Sequence, residues 1–193
     1  MSLTPQEAAR RLLLITKARD SFHGFVKALY PDFTLASFQE ELIETLDQLE
    51  KDTLGSNRLL ITMPPRHGKS WLTSTLFPVY YLARKANRHV LATSYNQDLA
   101  KTFGRQTRDH ARELIVPQAF PDFSMSDESK AVDDWRTTLG GGYYATGLGG
   151  STTGRAATLL LIDDPIKARE EADSATQRNK TWSYYVSALT TRK

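Results

Sequence analysis

Apolar positions fall into two regimes, spaced for helices in the first quarter of the chain and gathered into short runs after it. Thr4-Pro5-Gln6-Glu7 reads as a helix start: Thr4 caps, Pro5 suits the first turn and Glu7 closes a capping box. That helix runs to about Arg19. A second helical piece covers residues 21–29 and stops at Tyr30-Pro31. Ser37-Phe38-Gln39-Glu40 forms another capping box and opens an acidic amphipathic helix to about Lys51, with Leu42, Leu46 and Leu49 on one stripe. Residues 1–52 are therefore expected to be a helical lead-in, packed on a core built from 53–193.

From residue 53 the texture changes. Arg58-Leu59-Leu60-Ile61-Thr62-Met63, His89-Val90-Leu91-Ala92-Thr93-Ser94 and Thr158-Leu159-Leu160-Leu161-Ile162-Asp163 are apolar runs of strand length. Helices are predicted over 69–85, kinked at Pro78, over 97–114 behind the cap Ser94-Tyr95-Asn96-Gln97, and over 174–190. On the middle one, Leu99, Phe103 and Leu114 form the expected core face. Residues 133–146, centred on Gly140-Gly141-Gly142, read as a β-hairpin. Alternating strands and helices imply an α/β fold with right-handed crossovers and a mainly parallel sheet flanked by helices. The continuous runs at 58–63 and 158–162 predict burial on both faces.

Composition narrows the function classes. With 193 residues, 40% of them hydrophobic, the chain suits one domain with a real core and a small helical appendage. The formal charge of +3 permits a polyanionic partner without demanding one. The absence of cysteine excludes disulfides, thiolate zinc sites and a cysteine nucleophile. No run of about 18 apolar residues exists to span a membrane. The start is not a secretion signal, so a soluble intracellular protein is the default expectation.

The chemistry concentrates at Pro64-Pro65-Arg66-His67-Gly68-Lys69-Ser70, a loop after an apolar run and before a helix. Backbone N–H groups at a helix start face phosphate oxygens, and the helix dipole favours their charge. Pro65, Arg66 and His67 would line such a loop, and Gly68 would admit close backbone approach. Lys69 would reach the β- and γ-phosphates, and Ser70 would offer its hydroxyl to Mg²⁺. The usual loop pattern carries glycine where this chain has Met63. The alternative is an ordinary connection with a solvated lysine. A partner element follows on Leu159-Leu160-Leu161-Ile162-Asp163-Asp164, which delivers acids to a strand's carboxyl end. Asp163 would hold Mg²⁺ and Asp164 would activate water, where many such ATPases carry Glu. Glu170 and Glu171 on the following loop are substitutes for that base. Together the two elements point to a P-loop NTPase that binds ATP and Mg²⁺.

These motifs, with Phe77-Pro78, Thr93-Ser94-Tyr95-Asn96-Gln97-Asp98-Leu99-Ala100, the run Gly149-Gly150-Ser151-Thr152-Thr153-Gly154-Arg155-Ala156-Ala157, and Asp163-Asp164-Pro165-Ile166-Lys167, resemble the large terminase subunits of tailed phages and prophages over about 35–190. The resemblance implies an additional-strand (ASCE) ATPase core that couples hydrolysis to translocation of double-stranded DNA. It implies a ring of subunits at the portal of a procapsid, a small terminase subunit as partner, and the cytoplasm of an infected bacterial host. It also implies an adenine-contacting glutamine, for which Gln39 is the candidate; the other reading leaves Gln39 as a first-turn helix residue. Arg66, in the loop, would act on the γ-phosphate within its own subunit. Arg155 is either a finger reaching a neighbour's site or an exposed loop residue.

Lys101, Arg105, Arg108 and Arg112 form a basic stripe suited to DNA phosphates. The plainer reading is a solvated face partly paired with Asp98 and Asp109. Tyr143, Tyr144, Tyr184 and Tyr185 read as packing residues. The family continues past a segment like the one ending at Arg192 with a coupling strand and a nuclease. A chain ending at Lys193 is thus expected not to cut DNA, to have an unpaired position in its sheet and to turn ATP over weakly. Two other readings remain: a superfamily-2-like helicase or translocase, and a non-hydrolysing nucleotide-binding assembly module.

Overall fold

Three helices precede the sheet in the computed structural model, which describes residues 4–190. They are α1 (Pro5–Asp20), α2 (Phe22–Leu29) and α3 (Ser37–Glu50). Thr4 caps α1 as its sequence implies, with Glu7 returning a carboxylate to the Thr4 N–H at 2.8 Å. For α3 the cap shifts by one: Ala36 is the N-cap, Ser37 is already helical, and Gln39 Oε1 accepts from the Ala36 N–H at 3.0 Å. Ala18, Phe22, Phe25, Val26, Leu42, Ile43 and Leu46 of these helices join one core with Leu72, Phe77, Val79 and Tyr80. Each of the Val, Leu, Ile and Phe side chains among them contributes about 1.5–3 kcal/mol when fully removed from water. The buried Glu50 carboxylate accepts from Arg84 at 3.3 Å and Arg88 at 2.7 Å, tying α3 to the following elements.

A helical run follows the Gly68 loop. Residues Trp71–Leu76 are π-helical and lead into α4 (Phe77–Arg84). Then come β1 (His89–Ser94), α5 (Gln97–Ala111), α6 (Ile115–Ala119), β2 (Met125–Lys130), β3 (Asp134–Thr137), β4 (Gly142–Gly147), β5 (Leu159–Ile162), α7 (Arg169–Asp173) and α8 (Ala175–Tyr184), with a second π-helical segment, Tyr185–Leu189. The expected C-terminal helix is thus present to residue 190. The ends of the assigned ranges, 1–3 and 191–193, lie outside the described residues.

The sheet order is β2-β3-β4-β1-β5. β4 and β5 flank β1 in parallel, whereas β2–β3 and β3–β4 are antiparallel. The sheet is therefore mixed rather than mainly parallel, because the glycine turn at 140–141 returns β3 directly into β4. Helix α5 begins the long crossover that makes β4 parallel to β1.

The expected strand at 58–63 does not form. Ile61 and Met63 lean on the core while Leu60 is 88% exposed, and among the described residues the run pairs with no strand. A strand exists only where a neighbour completes its ladder. β5 is the edge of the sheet, and among the described residues nothing pairs with its outer side. For the same reason β5 is not buried on both faces; its residues are half-exposed, Ile162 the most. On one sheet face Leu91 and Leu160 pack with Ala157, Leu189, Tyr184 and Tyr185; on the other, Val90, Ala92, Tyr143 and Ala145 join the main core.

Helix α5 buries Ala100, Gly104, Thr107 and Ala111 rather than the predicted Leu99, Phe103 and Leu114, and Leu114 is 64% exposed. Small residues win because the helix lies so close to its neighbours. A Cβ on Gly104 would stand 2.4 Å from the Val132 carbonyl oxygen.

Candidate functional site

The parallel strands β4, β1 and β5 end together, and their registers place Ser94 beside Gly147, with Thr93 beside Ile162. The ladder extends one residue past β5: the Asp163 N–H donates to the Thr93 carbonyl at 2.9 Å. The Tyr95 N–H donates to the Asp164 carbonyl at 3.1 Å. Both acids are thereby held by backbone at the strand tips, where ligands bind in open α/β sheets. Asp163 turns inward and is buried, while Asp164 stands out with its side chain 55% exposed.

The Gly68 loop meets them. Lys69 Nζ donates to Asp163 Oδ1 at 2.8 Å and to Asp164 Oδ1 at 2.7 Å, across 94 and 95 residues of sequence. Burial by itself would lower the Lys69 pKa, but hydrogen bonds and charge from both acids outweigh it and hold the ammonium above the usual lysine value. Burial would likewise raise Asp163; hydrogen bonds from Lys69, Ser74 and Ser70, and the lysine charge, hold it below the usual carboxylate value. The structure thus brings Lys69, Ser70, Asp163 and Asp164 together, as the sequence reading requires.

Backbone strain collects here. Arg66 has φ 65°, Gly68 φ 86° and Asp164 φ 46°. Non-glycine residues in the left-handed region are uncommon and cluster where a ligand is gripped. Left-handed turns in such loops help aim backbone N–H groups into an anion-binding concavity. The φ of Gly68 favours glycine, and a Cβ there would in addition push on Gln39 Nε2, 2.8 Å away at the end of its side chain.

Gln39 is buried, and both ends of its amide are engaged. Its Oε1 accepts from Ala36 and its Nε2 donates to the His67 carbonyl at 3.1 Å, so it clamps the loop onto the start of α3. His67 donates Nδ1–H to the Pro65 carbonyl at 2.8 Å, and its ring lies 5.6 Å from that of Phe38. Arg66 is exposed, and none of the described residues pairs with it.

Other candidates lie apart. Arg155 forms a two-pronged ion pair with Asp134, at 2.7 and 3.2 Å, and its guanidinium sits 4.2 Å above the Tyr144 ring. Lys101 and Arg105 are exposed on α5 and Arg112 is exposed at its C-cap, while Arg108 is half-buried with Asp109 at 3.5 Å. Glu170 and Glu171 lie in the first turn of α7 rather than on a loop, and Glu171 accepts from the Lys167 N–H at 3.1 Å. Tyr143 packs in the core against Trp135, whereas Tyr144 and Tyr184 donate hydroxyls to the Ser151 and Gly150 carbonyls and pin the glycine-rich loop.

Sequence reasoning assigned no side-chain role at the site to two polar residues, Gln97 and Ser74. Gln97 bridges Asp133 at 3.0 Å and the Gly147 N–H at 2.9 Å. Ser74, 2% exposed, donates to Asp163 Oδ2 at 2.7 Å. The signal for Ser74 was a run of hydroxyls, Thr73-Ser74-Thr75, in an otherwise apolar helix.

No curated protein matches the chain. Residues 60–191 match the family model described as terminase large subunit, T4-like-virus type, N-terminal, and the chain belongs to that family.

Proposed function

We propose that this chain is a P-loop ATPase of the additional-strand class, the motor domain that couples ATP hydrolysis to translocation of double-stranded DNA into a viral procapsid. The observation that carries the reading is the convergence of Lys69 on Asp163 and Asp164 at 2.8 and 2.7 Å, at the carboxyl ends of parallel strands. Membership in the terminase family supports a role in phage DNA packaging.

The donors suit Mg²⁺. They are hard oxygens, the Asp163 carboxylate and the Ser70 hydroxyl, and no cluster of three or more acidic or imidazole groups cages a metal among the described residues. Magnesium favours such partial sites, keeping waters and sharing phosphate oxygens. The Lys69 ammonium already stands at the carboxylates as a cation would. When bound, Mg²⁺ neutralises charge on the phosphate oxygens. In this reading Lys69 exchanges its two carboxylates for the β- and γ-phosphates. That releases Asp163, with Ser70, to hold the ion, and Asp164 to orient and deprotonate water. Arg66, unpaired and at the loop, would meet charge developing on the γ-phosphoryl group. Gln39 keeps the loop seated, and contact with adenine would use its second N–H or the second lone pair of its oxygen. The polymer moved would be double-stranded DNA. Portal and procapsid, the small terminase subunit and further copies of the chain would be partners, in the cytoplasm of an infected bacterium.

The test is phosphate release by the intact chain and by Lys69→Ala, with Mg²⁺ and with EDTA. Release that needs both Lys69 and Mg²⁺ is the expected result. Equal release from both proteins would remove Lys69 from the site. Nucleotide binding without release would favour the non-hydrolysing assembly module, for which the occupied Asp164 carboxylate is the supporting observation.

A further inference from the structure

Three successive hydroxyls, Thr73, Ser74 and Thr75, lie buried in the π-helical segment after the phosphate loop. Thr73 and Thr75 do what buried helical hydroxyls ordinarily do: each donates back to a carbonyl four residues earlier, Lys69 and Trp71. Ser74 does not. Its Oγ reaches across to the sheet and donates to Asp163 Oδ2 at 2.7 Å.

The cause lies four residues on. Pro78 has no N–H, so in a regular helix the Ser74 carbonyl would lose its donor and meet the proline ring. The chain widens instead, and the Phe77 N–H donates to Leu72, five residues back. The freed Ser74 carbonyl lies 3.1 Å from Thr107 Oγ1 of α5, a buried hydroxyl whose single proton it shares with the Phe103 carbonyl at 2.8 Å. Ser74 is therefore anchored through its backbone to α5 and through its side chain to Asp163. The two oxygens of Asp163 have different partners: Oδ2 accepts from Ser74 and Oδ1 from Lys69, so departure of the lysine leaves Oδ1 the oxygen turned to a cation.

We infer that Ser74 is a positioning residue for Asp163, which holds the carboxylate so that one oxygen is kept for the metal side when Lys69 departs. The inference rests on the nucleotide-site reading above. Outer hydrogen bonds of this kind orient a ligand and govern metal affinity more than they govern the remaining contacts.

The test is the Mg²⁺ dependence of nucleotide binding, read with a fluorescent non-hydrolysable ATP analogue titrated in EDTA and at rising Mg²⁺. Ser74→Ala and Ser74→Cys, which fills the same space with a poor donor, should need about tenfold more Mg²⁺ for half of the enhancement, with affinity in EDTA unchanged within about twofold. Ser74→Thr, which keeps the hydroxyl, should stay near the wild type. Thermal midpoints identify any variant that is unfolded; should Ser74→Ala be so, Ser74→Cys carries the comparison. Wild-type Mg²⁺ dependence in the alanine and cysteine variants overturns the inference. So does a parallel loss of affinity in EDTA, which would mark general damage. A wild-type chain that binds no nucleotide in either condition sinks the nucleotide reading itself, and this inference with it.

Discussion

Replacing Lys69 with alanine removes the cation that two carboxylates share. The two arms differ in weight. Asp163 is 8% exposed at its side chain, so its bond to Lys69, at 2.8 Å, is a charge-assisted contact out of water. Asp164 is 55% exposed, and solvent screening reduces that arm to a fraction of a kcal/mol. The expected cost of Lys69→Ala without ligand is about 2 kcal/mol, mostly from leaving Asp163 buried without its counter-charge. For a chain of 193 residues this is a fall of about 4–8 °C in thermal midpoint. Asp164→Ala should cost less than about 1 kcal/mol. The assay is circular dichroism melting with EDTA present, so that no adventitious cation substitutes for the ammonium.

The pH dependence of the difference is also fixed. Asp163 lies below its ordinary 3.8, so its contribution is present above that value and lost as pH falls through the lower folded value. Lys69 lies above its ordinary 10.5, so its contribution is present below that value and lost as pH rises through the higher folded one. The wild-type advantage should therefore be flat from about pH 5 to pH 9. An unchanged midpoint in Lys69→Ala, or an Asp164→Ala deficit as large, would refute this account of the apo site.

Three further predictions concern the framework. Burial holds the His110 imidazole below the usual 6.5 against the opposing pull of Glu113 and Asp109, so the unfolded chain takes up a proton that the folded chain refuses. Stability should fall as pH drops through 6.5, by at most about 1.4 kcal/mol per pH unit, and urea melts of His110→Gln should lack that component. Glu50→Ala strips the buried partner from Arg84 and Arg88 and should cost about 3 kcal/mol in a denaturant titration; a change below 1 kcal/mol, allowing for relaxation, would show that the arginines find other partners. Gly104→Ala places a methyl group 2.4 Å from the Val132 backbone oxygen and should cost about 1–3 kcal/mol, visible as a lower thermal midpoint.

Much of the site was legible because its residues are contiguous. Gly68-Lys69-Ser70 and Asp163-Asp164 declare themselves through residue type and neighbours, and α1 through its caps. Gln39 was legible as a residue of interest, but its use was not: whether an amide faces a ligand or clamps a loop depends on what lies within 3.1 Å, here the His67 carbonyl. Ser74 escaped because its function is a direction, and the direction follows from a π-helical turn enforced by Pro78 and received by Thr107.

Local pattern determined the longer helices, the strands at 89–94 and 159–162, the hairpin and the chemical character of the two loops, since each is set by neighbours along the chain, but it left the short α6 and α7 unread. Tertiary structure decided what depends on partners. The run at 58–63 is as apolar as the two that formed strands, yet among the described residues it joins no ladder. The small-residue face of α5 is buried, and its larger side chains are not, because close approach rather than hydrophobicity governs that contact. Only the fold brings Lys69 to two acids 94 and 95 residues away, and only there do three charges become one site.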